Sequence, residues 1–414
     1  MMEPILWTLW GLWMAQALLT ALEVGGYARY RRWQESLWGH LLPQDQKSAA
    51  LIIAVKGFDP DNTPHFFEAI LAQDYPRYRV LITVESEKDP VVSWLRSMLA
   101  ERERNLLSGN AGPGPCEVRI IIAGTCEGRG QKVHNQIEAF KELDAGDRMV
   151  AFADADIRCG TDWLARLTSP LNAGTHQLAS TYRWLVPKRP TLVNHFASVI
   201  NASVATLGGR DLWSNLWGGS MAITRHDFDE LDVPEVFHGS LNDDLRMGEY
   251  ARTKGRKIAF IKSLLIPSPV DFTWSSFFEF GRRQYYQVRW YSPALYSFSL
   301  MLTGIYTLGL VSSVTAILWF HYPLAWIPFG VVLFADQLRA WARSKVIVEH
   351  FGNQPEIVEV LRKTVWVEHL GTPAAMAIHG ILALSALFVS RIRWAGIHYR
   401  ILSQTKTEVL KREG

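Results

Sequence analysis

The chain has 414 residues, which at about 150 residues per domain suggests two domains, or one domain with membrane elements. Lys and Arg number 43 against 40 Asp and Glu, a net charge of +3 that excludes a dedicated nucleic-acid binder. A hydrophobic share of 48% with 17 Trp excludes a disordered chain. Charged residues make up only 20%, and the deficit is local. The three cysteines, Cys116, Cys126 and Cys159, form no CxxC pair and so neither a disulfide framework nor a zinc site.

The first local deficit runs from Ile5 to Leu22, with no charge and three Trp. Its length reaches the low end of a membrane span, and no small-x-small cleavage site follows it. Arg29, Arg31 and Arg32 follow the run while only Glu3 precedes it. By the positive-inside rule the amino terminus then lies outside and the next segment is cytosolic. Residues 1–28 are therefore read as an anchor.

Residues 45–271 read as a globular block. Strands are expected at Ala49–Val55, Tyr78–Val84, Glu117–Ala123 and Met149–Ala153. Thr63, followed by Pro64, is expected to cap a helix reaching about Ala72. Further helical patterns cover Val91–Leu106 and Lys132–Leu143. Strands alternating with helices imply an α/β fold with a Rossmann-like, mostly parallel sheet, whose ligands bind at the carboxyl ends of the strands. Gly128-Arg129-Gly130 lacks the third glycine of a dinucleotide fingerprint, and no GxxxxGK[ST] occurs.

Acidic residues gather at the expected strand ends. Asp154-Ala155-Asp156 leaves the fourth strand, and two carboxylates at that spacing suit Mg²⁺ or Mn²⁺ carrying a diphosphate. The alternative is a solvated turn. After the second strand, Glu85-Ser86-Glu87-Lys88-Asp89-Pro90 reads equally as a polar turn in which Asp89 caps the next helix. Asn242-Asp243-Asp244 opens a helical stretch through Ala251, where acidic residues are ordinary caps and also where a general base can sit.

Residues 272–290 pack aromatics around Arg282, Arg283 and Arg289, as an interfacial amphipathic helix does. Arginine clamps for phosphate are the functional reading of the same segment. Residues 291–390 hold two more uncharged stretches. Tyr291–Ala335, 45 residues long, reads as a hairpin of two spans broken at His321-Tyr322-Pro323, its second arm short and broken again at Pro328, with a re-entrant segment as the alternative. Leu370–Ser390 is long enough for another span. Three such spans would put the basic tail, residues 391–414, outside, whereas Arg391, Arg393 and Arg400 favour the inside.

The arrangement resembles a membrane-bound glycosyltransferase of GT-A fold, in particular the ceramide glucosyltransferase family, over most of the chain. The likeness rests on Val55-Lys56-Gly57-Phe58-Asp59-Pro60, Gln73-Asp74-Tyr75-Pro76 and Lys88-Asp89-Pro90. Asp154 with Ile157-Arg158 falls on the family's second acidic motif and Asp243-Asp244 on its third. Arg289-Trp290 fit the end of its (Q/R)xxRW motif, whose first position is Tyr286 here, with Gln287 or Arg283 beside it. The family's KPLKG has shrunk to AVKG around Lys56, and WAGIHY at Trp394–Tyr399 is similar to its tail. The intact DxD is closer to GT-A transferases at large.

The resemblance implies an inverting transfer of a hexose from a UDP-sugar to the hydroxyl of a membrane lipid, ceramide-like or another polar lipid such as a hopanoid. It implies that Asp89, with Glu85 and Lys56, serves the nucleotide, and that Asp154 and Asp156 hold the metal. Asp244 would be the base, and Arg289 and Trp290 would close over diphosphate and acceptor. Lys132 and Asn135, opening a helix after the third strand, are expected at the donor phosphate or ribose. The implied place is a multi-pass membrane protein, bacterial inner membrane, with its catalytic domain in the cytosol. A processive polysaccharide synthase and a non-catalytic nucleotide-sugar or lipid binder are the rival readings.

Overall fold

The computed structural model describes residues 2–39, 43–108, 114–207, 209 and 214–413. They form two compact units, one of residues 1–33, 183–208 and 269–389, the other of 34–182, 209–268 and 390–414. The stretch 183–208, inside the block read as 45–271, groups with the first of these.

The second unit is built on strands β1 (Ala49–Val55), β2 (Tyr78–Val84), β3 (Glu117–Ile122), β4 (Met149–Asp154) and β5 (Leu178–Ser180). Strand β6 (Arg183–Pro187) lies in the other unit; β7 (Ser220–Thr224) and β8 (Ile258–Phe260) return to this one, and β9 (Ile266–Val270) runs across the division at residue 268. The central sheet has the order β3-β2-β1-β4-β7-β5-β8. Its pairs are parallel except those of β7, which runs antiparallel to both β4 and β5. The fold is mixed α/β with a mostly parallel sheet, as the alternating pattern predicts.

Both faces of the sheet are covered, so its strands are continuous apolar runs instead of alternating ones. Leu51, Ile53, Val80, Ile82 and Ala151 pack into one core with Phe66, Phe67 and Trp163. Ile52, Leu81, Val150 and Phe152 pack into the other with Val133, Phe140 and Phe237. The helix after β1 is Thr63–Leu71, with Asn62 at its cap position. Thr63, expected as the cap, is the first helical residue, and its hydroxyl accepts the Asp59 N–H at 3.0 Å.

The tail, read from its charge as a basic extension, folds as a sheet of β10 (Ile392–Trp394), β11 (Ile397–Ser403) and β12 (Lys406–Arg412). Ala395 and Gly396 both have positive φ, 51° and 75°, as a tight two-residue hairpin turn demands. Ile397, Tyr399 and Ile401 are buried.

The helical unit is led by Met2–Gly25, Pro293–Leu318 and Trp326–Phe351. Glu3–Gly25 and Pro293–Leu318 are long and apolar enough to cross a membrane. Trp10 and Trp13 are buried between them: Trp10 Nε1 donates to Ser312 Oγ at 3.1 Å, and Trp13 meets Tyr306 edge-on at 5.9 Å. The chain turns at His321, whose φ is 48°, within the expected break. Pro328 does not break the next helix. It sits in the first turn of Trp326–Phe351, where its missing N–H has no helical partner to lose. The last apolar stretch forms a helix of only 14 residues, Thr372–Ser385. At about 1.5 Å per residue it is shorter than the ~30 Å hydrocarbon core.

Candidate active site

Period-two alternation puts Asp154, the last residue of β4, on the same strand face as Val150 and Phe152. That face carries the helix Gln131–Phe140, anchored through Val133, Ala139 and Phe140. The first turn of this helix delivers Lys132, whose Nζ lies 2.7 Å from Asp154 Oδ1 and 2.9 Å from Asp243 Oδ2. One ammonium thus joins the end of β4 to the head of the helix Asp244–Thr253.

At that head, Asp243 does not cap. Asn242 Oδ1 accepts the Leu245 N–H at 2.8 Å, while Asp243, 1% exposed, turns inward and also accepts from Gln136 Nε2 at 2.7 Å. Asp244 is half-buried and accepts two backbone N–H groups, of Gly218 at 2.6 Å and of Leu245 at 2.6 Å. Gly218 reaches this point because β7 is antiparallel. Its starting end therefore lies beside the finishing end of β4, and the Asp154 N–H bonds Gly219 O at 3.3 Å. A Cβ on Gly218 would stand 2.8 Å from Lys132 Nζ and 2.9 Å from Asp243 Oδ2, so any side chain there would displace the ammonium or the carboxylate.

The electrostatics separate the two adjacent acids. Burial works against the Lys132 charge, but Asp154, Asp243 and Asp244 outweigh it and hold the ammonium well above the usual lysine range. Burial also pushes Asp243 up, but the Lys132 charge and the hydrogen bonds from Gln136 and Lys132 hold it below the ordinary carboxylate range. Asp244 keeps the opposite balance. Burial, then the neighbouring Asp243 charge, push it up to about 6 against the pull of Lys132 and the two N–H groups. A carboxyl at that value takes a proton readily near neutrality.

The other expected donor residues form a second group at the ends of β1 and β2. Glu85 accepts from Lys56 Nζ at 3.1 Å. Asp89 caps the helix Pro90–Leu107 through the Val91 N–H at 3.0 Å, and both its oxygens also accept the Gly57 N–H, at 3.1 and 3.0 Å. It therefore clasps the loop after β1 to the helix after β2. Asn135 is buried and accepts from Gln131 Nε2 at 2.8 Å.

Asp156 is exposed beyond Asp154. The two offer the hard oxygen donors that Mg²⁺ and Mn²⁺ prefer, and among the described residues no cluster of three His, Cys, Asp or Glu encloses a metal. The set fits the open kind of site, in which carboxylates share the ion with substrate phosphates.

Arg289 and Trp290 belong to the helical unit, on the helix Trp274–Tyr291, which a Thr273–Ser276 capping box starts. There Arg289 Nη1 donates to Ala386 O at 2.9 Å, at the end of the helix Thr372–Ser385. Tyr286, at the first motif position, is buried.

Sequence reasoning missed Gln136 and Gly218. The only signal was the pair Gly218-Gly219 before an apolar run, which spacing alone does not connect with Asp244.

Comparison with known proteins bears on this arrangement of acids and lysine. Among curated proteins nothing matches. A mannosyltransferase from Pyrobaculum calidifontis, solved with GDP-Man and Mn²⁺, is 13% identical at a TM-score of 0.40, over 89% of this chain and 98% of its own. GalNAc-T7, solved with UDP, GalNAc and Mn²⁺, is 12% identical at 0.37, over 55% of this chain and 44% of its own. Glucosyl-3-phosphoglycerate synthase from Mycobacterium tuberculosis is 13% identical at 0.34, over 61% of this chain and 81% of its own. The model of glycosyl transferase family 21 matches residues 17–407, which takes in both acid groups, Lys132 and most of the tail sheet. The chain belongs to that family and is a glycosyltransferase.

Proposed function

We propose that this glycosyltransferase has the GT-A fold and moves a hexose, with inversion, from a UDP-sugar to a hydroxyl of a polar membrane lipid. The observation that carries the reading is the Lys132 bridge between Asp154 and Asp243, with Asp244 next to it and pushed up to about 6. One acid is locked by the lysine and the adjacent one is poised to accept a proton.

In this reading the acceptor hydroxyl oxygen attacks the anomeric carbon while its proton passes to an Asp244 carboxylate oxygen. The bond from that carbon to the diphosphate breaks, and its electron pair leaves with UDP. Gly218 and Leu245 N–H groups hold Asp244 in one orientation. Lys132 balances the charge that gathers near Asp154, and Lys56, Glu85 and Asp89 line the nucleotide end. Asp154 and Asp156 would hold Mg²⁺ or Mn²⁺, which when bound neutralises the leaving diphosphate. Arg289 and Trp290 are assigned to diphosphate and acceptor closure.

The membrane arrangement belongs to the same proposal. The tail sheet is part of the unit that holds the acids, since Arg412 bonds Glu85, so an even number of crossings separates residue 268 from residue 390. Pro293–Leu318 is apolar enough for one; we assign the return to Trp326–Phe351, which is uncharged as far as Ala335 and pairs Asp336 with Arg339 at 2.7 Å, and none to the short helix Thr372–Ser385. With the arginine cluster 29–32 inside, the catalytic unit and tail are both cytosolic.

Purified protein in detergent, incubated with a panel of UDP-sugars and extracted lipids, should form one glycolipid in the presence of Mg²⁺ or Mn²⁺ and none in EDTA. Turnover of no UDP-sugar on any lipid overturns the proposed reaction, and full turnover by metal-free protein in EDTA overturns the metal role.

A further inference from the structure

The donor-side residues and the carboxyl-terminal sheet meet at Arg412. Its Nη1 donates to Glu85 Oε1 at 2.5 Å, and its Nη2 to Cys126 O at 2.6 Å and Gln131 Oε1 at 2.8 Å. Glu85 sits just after β2, Cys126 in the loop after β3, and Gln131 opens the helix that carries Lys132. One planar guanidinium therefore ties together three chain segments at the carboxyl ends of the parallel strands, where such sheets bind ligands.

The remaining contacts show a sheet seated on this edge. Tyr399, 2% exposed, takes the Gln131 N–H on its hydroxyl at 3.2 Å, and the Val409 N–H bonds Glu127 O at 3.1 Å. The turn after β11 packs on Gly239, whose φ is 71° and where a Cβ would overlap Thr405 O. Gln404 Oε1 accepts from Arg246 Nη1, on the helix headed by Asp244, at 3.0 Å. The tail thus grips the donor-side loops and the base helix at once.

Charge adds a second argument. Glu85 is only 14% exposed and its other oxygen is held by Lys56 at 3.1 Å. With Asp89 holding the Gly57 N–H beside Lys56, the four side chains Lys56, Glu85, Asp89 and Arg412 sum to zero charge. Without Arg412 the same group would carry a net negative charge, which opposes the anionic diphosphate of a nucleotide sugar.

We propose that the carboxyl-terminal sheet is part of the donor site and that Arg412 is its positioning residue, holding Glu85 against Lys56 and Gln131 at the head of the Lys132 helix. The proposal rests on the donor reading given above. Arg412 acts through these partners on nucleotide-sugar binding, not on proton transfer at Asp244.

The test compares Arg412→Gln and Arg412→Lys with Arg393→Gln, which removes a tail ion pair to Glu413 of similar length and leaves Glu85 alone. UDP binding by calorimetry and steady-state kinetics are read on full-length protein in detergent. Losing a charge-assisted bond to a largely buried carboxylate should raise the UDP Kd and donor KM of Arg412→Gln about tenfold or more. Its kcat and lipid KM should stay within about twofold, since uniform donor binding alone is lost. Arg412→Lys, which keeps the charge without the fork, should recover part of the loss. Arg393→Gln should match the wild type. Equal UDP affinity in wild type and Arg412→Gln, or a loss of kcat and thermal stability with donor KM unchanged, overturns the role of Arg412 alone. A wild-type protein that binds no UDP overturns the donor reading and this role with it.

Discussion

Two largely enclosed cations in the same unit, Arg79 buried and Lys132 15% exposed at its side chain, meet three acids each, with opposite results. Arg79, at the start of β2, pairs with Glu117 at 2.8 Å, Asp144 at 2.6 Å and Asp147 at 3.1 Å, and donates to Glu142 O. Lys132, at the other end of the sheet, faces Asp154, Asp243 and Asp244. The guanidinium has enough fixed donors for every acid around it. Burial pushes Glu117 up, yet hydrogen bonds from Arg119 and Arg79 hold it below the usual range. The ammonium pairs directly with Asp154 and Asp243, and for Asp244 burial and the neighbouring Asp243 charge outweigh the pull of Lys132 and the two backbone N–H groups, so that acid is raised. At the amino ends of the strands the charge cluster is saturated and serves stability. At the carboxyl ends burial and a like-charged neighbour outweigh the one cation for Asp244, and that balance is what a base needs.

The contrast breaks most sharply at Asp244. Asp244→Asn keeps shape and removes proton acceptance, so kcat should fall about 10²–10⁴-fold while the melting temperature and UDP affinity hold. Asp243→Asn should weaken donor binding and stability as well, because it removes the buried negative charge that holds Lys132 and leaves one neutral amide oxygen to accept from Lys132 and Gln136. If Asp243→Asn is dead with its fold intact while Asp244→Asn turns over normally, the base is Asp243.

Arg79→Gln should show the reverse pattern. Removing one partner of a largely buried charge group costs about 3 kcal/mol of unfolding free energy, read by denaturant titration. kcat of the protein that remains folded should not move. Because Glu117 is held below its usual range, its share of that stability is present at neutral pH and lost as pH falls through the lowered value.

The raised acid fixes the sign of the pH dependence. A base must be deprotonated, so kcat/KM should be level above about pH 6 and fall about tenfold per unit below it. Asp243→Asn removes a charge that raises Asp244, which should move this limb to lower pH. A limb unmoved by Asp243→Asn separates the two acids electrically and ends the comparison as drawn.

The smallest effect should come from Gly218→Ala. Its Cβ falls within 3.0 Å of Lys132 Nζ and both Asp243 oxygens, displacing the ammonium and lowering kcat/KM about tenfold through misplacement. Gly146→Ala, between the Asp144 and Asp147 that pair with Arg79, meets nothing within 4 Å and should leave kcat/KM unchanged.

Much of this was legible beforehand. The strands Ala49–Val55 and Tyr78–Val84 have the expected bounds because both faces are buried and the apolar runs are unbroken. Helix ends were less legible: Thr63 lies inside its helix, and Asn242, not Asp243, does the capping. Lys132 and Asp154 were each singled out, but nothing local says that they touch. Pro328 misled because a proline's cost depends on its place in the helix, and the helix start was not visible.

The sequence by itself determined the parallel α/β core, the acids at the strand ends and the two long apolar helices, since each follows from local periodicity and composition. Only the tertiary structure decided that β7 runs antiparallel and brings Gly218 to Asp244, which strand pattern cannot express. It also decided which acid Lys132 leaves unpaired, a matter of distances between side chains on separate elements. And it turned a basic tail into a sheet whose Arg412 reaches Glu85 across 327 residues of chain. Hydrophobic periods are written in neighbouring residues, whereas the pairing of a buried charge is set by whatever the folded chain brings within about 4 Å.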